Sequence, residues 1–187
     1  MLVLIVLVGT VAGSLTVLFS RLAAQSAESV RARQALALGQ ALLGEVGMMP
    51  FSFCDPQDAR ARLATGAFVG GTGCATTVDA LGPEPGESRY NAANRYDGVS
   101  DYQGFAMPGA GCAGLCDIAG NLLNSAGSAL TGCSAAVALA PAALPGVAAL
   151  DANGRAQALR IDVTVRCPAS PAITLQAVRL RHAPRAV

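Results

Sequence analysis

The first twenty residues, Met1 to Ser20, contain no charged side chain, and Arg21 ends the run. The segment opens MLVLIVLV and continues through Gly9, Thr10, Gly13, Ser14 and Thr16 to Val17, Leu18 and Phe19. About 20 helical residues at ~1.5 Å each cover the ~30 Å hydrocarbon layer of a bilayer. A cleaved signal peptide begins with basic residues and has an apolar stretch of only ~7–15 residues. Here no basic residue precedes the run and the run is longer, so the sequence favours a membrane helix over a signal peptide or a buried soluble helix.

The helical pattern continues past Arg21. From Leu22 to Met49 there is no proline, and Ala35, Leu38, Leu42, Val46 and Met49 recur at steps of three and four. That spacing makes one apolar stripe, suited to packing on the chain's own domain. Pro50 ends it, because the residue before a proline is biased away from helical geometry. The expectation is one helix of nearly fifty residues, on the order of 70 Å long. Residues 1–20 would be its membrane or filament-core half and residues 21–49 its amphipathic half.

Residues 50–187 form the expected head. Positions 51–132 are rich in glycine, proline, asparagine and aspartate, and GPEPGESRYNAANRYDGVSD (82–101) has no sustained period, so it reads as loop. Gly120 to Gly132 is small and polar. Within 133–183 the pattern turns to strands. Leu159, Ile161, Val163, Val165 and Cys167 alternate with Arg160, Asp162, Thr164 and Arg166, a period of two with one buried face. Ile173, Leu175 and Ala177 begin a second strand after the PASP turn; the apolar phase then moves to Val178 and Leu180, which predicts a bulge near Ala177. Cys133, Ala135, Val137 and Leu139 form a weaker third alternation. The fold class expected is α+β, with a long N-terminal helix packed on a small antiparallel sheet.

Six cysteines, at 54, 74, 112, 116, 133 and 167, all lie in the head. An even number in a small, loop-rich region points to disulfides and an oxidising compartment. Cys133 opens one strand and Cys167 closes another, each on the apolar phase, so antiparallel pairing would bring them face to face. Cys54–Cys74 would pin the loop after the helix, and Cys112–Cys116 follows by elimination, although Cys116 could instead reach Cys133 and buried free thiols are the plainer alternative. Zinc is a poor fit, since His182 is the only histidine and no paired C-x-x-C accompanies Cys112 and Cys116. A net charge of +1 gives no reason to expect nucleic acid. With 4% aromatic residues and no tryptophan, the core should be built of small and branched side chains.

The long helix, the glycine-rich loops and the late sheet together resemble a type IV pilin or pseudopilin. MLVLIVLVGTVAGSL is similar to the stretch that in this family follows a short basic leader ending in glycine and then Phe-Thr-Leu-Ile-Glu, so the resemblance implies such a leader upstream of Met1. The segments FSFCDP, GCATT, RYDGVSDYQGF and ALRIDVTVRCP narrow it to the D-type minor pilins of the mannose-sensitive haemagglutinin (MSHA) pilus. What the resemblance implies is a minor pilin, a structural subunit and not an enzyme. Such a subunit is held in the bacterial inner membrane with its head in the periplasm, then packed by its helix against other pilin subunits in an extracellular pilus that serves assembly and attachment to a cell or abiotic surface. A minor pseudopilin of type II secretion is a rival in the same class. An anchored or secreted adhesive domain that never polymerises is a rival from another class.

Three smaller patterns bear on these readings. Gly9 and Gly13 form a G-x-x-x-G, a spacing that lets helices approach closely in lipid, though small residues are common in such runs. Gly109, Gly111 and Gly114 make a lone G-x-G-x-x-G, but Met107-Pro108 precedes it where a dinucleotide site needs a strand. Asp97 and Asp101, in YDGVSDYQG, are candidate calcium ligands, or simply turn formers. No nucleophile is placed by sequence beside His182, which reads as a surface residue, and no catalytic residue or cofactor is expected.

Overall fold

A computed structural model describes residues 1–123, 128 and 130–182; for residues 2, 4–6 and 23–27 it describes the backbone alone. The loop expected at Gly120–Gly132 therefore lies partly outside the described residues, as does position 183 at the end of the expected sheet segment. One α-helix, α1, runs from Leu2 to Met48. A single 3-10 turn follows at Ser100–Tyr102, then strands β1 (Ala106–Met107), β2 (Ser134–Pro141), β3 (Ala158–Arg166) and β4 (Ile173–Leu180). They form one sheet in the order β1-β2-β3-β4, antiparallel throughout.

The helix ends where proline geometry requires. Met49 is already extended, with φ −70° and ψ 149°, and its N–H bonds to the Val46 carbonyl at 3.2 Å. Of the apolar stripe, Ala35, Leu42 and Val46 are buried, and Leu38 and Met49 pack at their margin. They meet β3 and β4. Gly39 faces the sheet: a Cβ there would stand 3.2 Å from Leu175 Cδ1 and 3.5 Å from Val165 Cγ2. A side chain there would push on Leu175, a contact that the helical periodicity does not reveal.

The buried face of β3 is the one its alternation predicts, with Leu159, Ile161, Val163 and Val165 all inside. Opposite them stand Ala135, Val137 and Leu139 of β2. Burying each valine, leucine or isoleucine contributes about 1.5–3 kcal/mol, so this seam between two strands and a helix is the main apolar store of the head. The core is less uniformly small than the composition implies. Tyr102, Phe51 and Met107 are fully buried, and Tyr102 meets Tyr96 and Phe105 edge-on.

The bulge expected near Ala177 is absent. β3 and β4 pair without a break from Val165↔Ile173 to Ala158↔Leu180. Val178 and Leu180 stay on the outer face, about half exposed, while Arg179 takes the inner position. Arg179 is held there because its guanidinium donates to the Met49 carbonyl at 3.2 Å, at the exposed-carbonyl end of α1. A polar tie to the helix end thus overrode the apolar phase. β1, which pairs Ala106 with Ala136 and Met107 with Ala135, is too short to show any alternation.

Three disulfides, Cys54–Cys74, Cys112–Cys116 and Cys133–Cys167, staple the head, and no cysteine is free among the described residues. They are the pairs expected from the sequence, without the Cys116–Cys133 alternative. Cys133 and Cys167 lie one step beyond the Ser134↔Arg166 pair, with Cα atoms 4.1 Å apart, so the bond closes the β2–β3 ladder. Their separation of 34 residues makes this the longest of the three loops. Replacing both cysteines by alanine should lower stability by about 4 kcal/mol in the chain-entropy model. The matching change at Cys112 and Cys116, only 4 residues apart, should cost clearly less. Denaturant titration of the two double variants checks the order, and equal losses would contradict it.

Candidate functional site

Two regions of α1 behave differently. Beyond its packed half the helix stands clear of the head: Val3, Leu7, Leu15 and Phe19 are all largely exposed. Its hydroxyls are satisfied from within. Thr10 donates to the Leu7 carbonyl at 2.9 Å, Ser14 to Val11 at 2.9 Å, Thr16 to Gly13 at 2.8 Å and Ser20 to Val17 at 2.8 Å. A helix whose side-chain donors bond its own backbone asks nothing of its surroundings, which suits an apolar environment. Gly9 and Gly13 are exposed, and no atom lies within 4 Å of where a Cβ would stand on either. Among the described residues the sheet does not reach them. Among the described residues no helix is long and apolar enough to cross a membrane. The expected span, Met1 to Ser20, includes Leu2, Leu4, Ile5 and Val6, whose side chains lie outside the described residues.

The helix is locked to the loops by a buried charge network that the sequence does not announce. Glu45 of α1 receives Arg89 Nε at 2.6 Å and Arg89 Nη2 at 2.7 Å, a two-pronged pair, and the Tyr102 hydroxyl donates to it at 2.6 Å. Arg89 is 4% exposed. Its Nη1 also donates to the carbonyls of Cys116 at 3.1 Å and Asp117 at 3.2 Å. Burial acts to raise the Glu45 pKa, but the hydrogen bonds from Arg89 and Tyr102 outweigh it and hold the carboxyl below its ordinary value. Arg89 lies in the aperiodic stretch 82–101, where no pattern distinguishes a buried arginine from a solvated one.

A second polar centre holds the first disulfide loop. The Asp58 carboxylate accepts four backbone N–H groups, from Arg60 at 2.8 Å, Ala75 at 2.9 Å, Thr76 at 2.7 Å and Thr77 at 2.9 Å. Desolvation would raise its pKa, but these donors dominate and hold it well below the usual carboxylate range. With Cys54–Cys74 and the small cluster of Cys54, Ala64 and Cys74, this carboxylate replaces regular secondary structure as the organiser of residues 54–79.

The calcium candidates are brought near each other but divided between two groups. Asp97 gathers with Asp55 and Glu87, and Asp101 with Glu84 and Glu87, the carboxylate oxygens of each group lying within 4.8 Å of one another. Asp101 already accepts the N–H groups of Asp97 at 2.9 Å and Gly98 at 2.7 Å through one oxygen, the turn-forming role. Burial, and after it the contact with Glu87, pushes Glu84 up to about 8, and burial pushes Asp101 up to about 6. Protonation therefore relieves the crowding of these acids. His182 is exposed, and its N–H bonds the Phe51 carbonyl at 3.1 Å.

No family model, curated protein or solved structure matches this chain.

Proposed function

We propose that this chain is a pilin-like structural subunit, a minor component of an MSHA-type pilus. Its uncharged helix half holds it in the bacterial inner membrane before assembly, and then packs against the helices of neighbouring subunits in the filament. The observation that supports this most directly is the division of α1 into a half packed on the sheet and an apolar half with nothing of its own chain against it. Supporting it further, the hydroxyls of that half are bonded within the helix, and the disulfides suit a head exported to an oxidising compartment. The head carries surface specificity and the helix carries assembly.

Gly13→Arg tests the reading. A charge at the centre of a membrane helix costs at least ~2.5 kcal/mol, and its bulk blocks close helix approach. Gly13 is exposed and far from the sheet, so the head should fold with its disulfides intact while incorporation into sheared pili is lost. Normal incorporation of Gly13→Arg, or a head shielded from external protease in spheroplasts, would overturn the proposal.

A further inference from the structure

The two edges of the sheet differ in cover. On the β2 side, β1 pairs with Ala135 and Ala136, the Val137 N–H bonds the Phe105 carbonyl at 2.8 Å, and the Leu139 N–H bonds Gln103 Oε1 at 2.6 Å. The β4 side has no such cover. The Arg181 N–H bonds the Gln157 carbonyl at 2.8 Å, one step beyond the Ala158↔Leu180 pair, and hydrogen-bonded pairs alternate along an antiparallel ladder. Ile173, Leu175, Ala177 and Arg179 therefore turn their backbone groups to β3. Thr174, Gln176, Val178 and Leu180 turn theirs away, and among the described residues none of those N–H or C=O groups has a partner.

An open edge is a template for a further strand, and edges are ordinarily blunted by a bulge, a proline or a charge. β4 has no bulge and no proline, and its one charge, Arg179, is tied to the Met49 carbonyl. Most of its residues are apolar, none is buried, and Val178 and Leu180 are about half exposed. Beside them an open hollow of about 560 Å³ is lined by Leu144, Val178, Arg179, Leu180 and His182. Charge at this edge leans positive. β4 and the two residues after it hold Arg179 and Arg181 but no acid. Arg160, beside Val178, is matched by Asp162, which also takes Gln176. Asp151 and Arg155 act on Arg181 with opposite sign. Asp79, pushed up to about 7 by burial, offsets Arg181 only in part.

We infer that the open edge of β4 is a docking site for an extended, acidic peptide segment of an exported partner, which adds to the sheet as a fifth antiparallel strand. Backbone hydrogen bonds with Thr174, Gln176, Val178 and Leu180 hold the segment, and the hollow selects its side chains. Alternate residues of the segment fall on the outer face beside Val178 and Leu180, where apolar side chains fit. The residues between them fall on the face that carries Arg179 and Arg181, where carboxylates fit. A second copy of this chain does not suit the edge. Two β4 edges related by a two-fold axis pair antiparallel, and α1 runs beside β4 in the same direction, with Ala35 near Ile173 and Met49 at Arg179. Such a pair would point its two apolar helix halves opposite ways, an exclusion that rests on the reading of α1 as a membrane and filament helix.

The test uses the full chain in detergent and the end-capped peptide Glu-Val-Glu-Val-Glu-Val-Thr-Val. Calorimetry should give a Kd on the order of 0.1 mM. Replacing the glutamates by lysine should weaken binding at least about tenfold. Amide exchange read by NMR should slow at least about tenfold at Thr174, Gln176, Val178 and Leu180, and not at the residues between them. Methylating the valine nitrogens of the peptide should abolish binding, and methylating its other nitrogens should not. Val178→Pro removes one outward donor and leaves the β3 ladder intact, so it should weaken binding at least about tenfold with all three disulfides retained. Unslowed exchange at those four amides with about 1 mM peptide would overturn the inference. Equal binding by the lysine peptide or by the valine-methylated peptide would do the same. Slowed exchange at the same amides without peptide, growing with protein concentration, would overturn it in favour of a second copy. Gly13→Arg leaves this edge untouched, so loss of the filament reading and loss of the docking site are read separately.

Discussion

Arg89→Met is expected to lower the stability of the head by about 3–5 kcal/mol, the range for removing one partner of a buried ion pair. Methionine keeps much of the volume. It leaves the Glu45 carboxylate, packed between α1 and the loops, with only the Tyr102 hydroxyl, and it also takes the Arg89 donor from the Cys116 carbonyl, while the Asp117 carbonyl keeps the Gly120 N–H. The double variant Glu45→Gln with Arg89→Met removes the stranded charge as well, and should recover a large part of the loss. Denaturant titration of wild type, both single variants and the double variant measures the coupling. A loss below about 1 kcal/mol in Arg89→Met would mean that the pair behaves as a solvated surface bridge, and that the helix is held to the loops by apolar packing alone.

Asp79→Asn is expected to stabilise the protein at pH 8 and to leave it nearly unchanged at pH 4. Burial is the main reason that the Asp79 carboxyl is pushed up to about 7, opposed by the Ser100 hydroxyl and Arg181 and assisted by Asp101 and Asp55. A carboxyl whose folded pKa lies above its unfolded value takes up a proton on folding. Its favourable contribution is full below the unfolded value near 4 and is lost as pH rises through about 7. One pKa unit corresponds to about 1.4 kcal/mol, so the swing is on the order of 4 kcal/mol. Glu84 and Asp101, also raised, act in the same direction, so the variant keeps some slope and the difference between the two curves isolates Asp79. Thermal unfolding from pH 4 to pH 8 checks this. Parallel curves for the two proteins would show that Asp79 stays ionised in the folded head.

What the sequence determined by itself follows from periodicity, and periodicity is a local property. The uncharged run, the stripe at Ala35, Leu38, Leu42, Val46 and Met49, and Pro50 define α1 to within a residue of its end. The two-residue alternation defines β3 and the weaker β2, because a half-buried strand must alternate. From those two strands the Cys133–Cys167 bond follows, since antiparallel pairing places the start of one beside the end of the other.

The tertiary structure decided what depends on a single distant partner. β4 runs straight, with Val178 and Leu180 outside, because Arg179 reaches a carbonyl at the end of the helix. Gly39 matters because Leu175 lies against it. Glu45 meets Arg89 across 44 positions of chain, and Asp79 shares a cavity with Arg181 from the other end of the head. Such contacts join one residue to one residue, and they leave no period in the sequence. A buried charge and a solvated one are the same letter until the fold brings its partner close or leaves it without one.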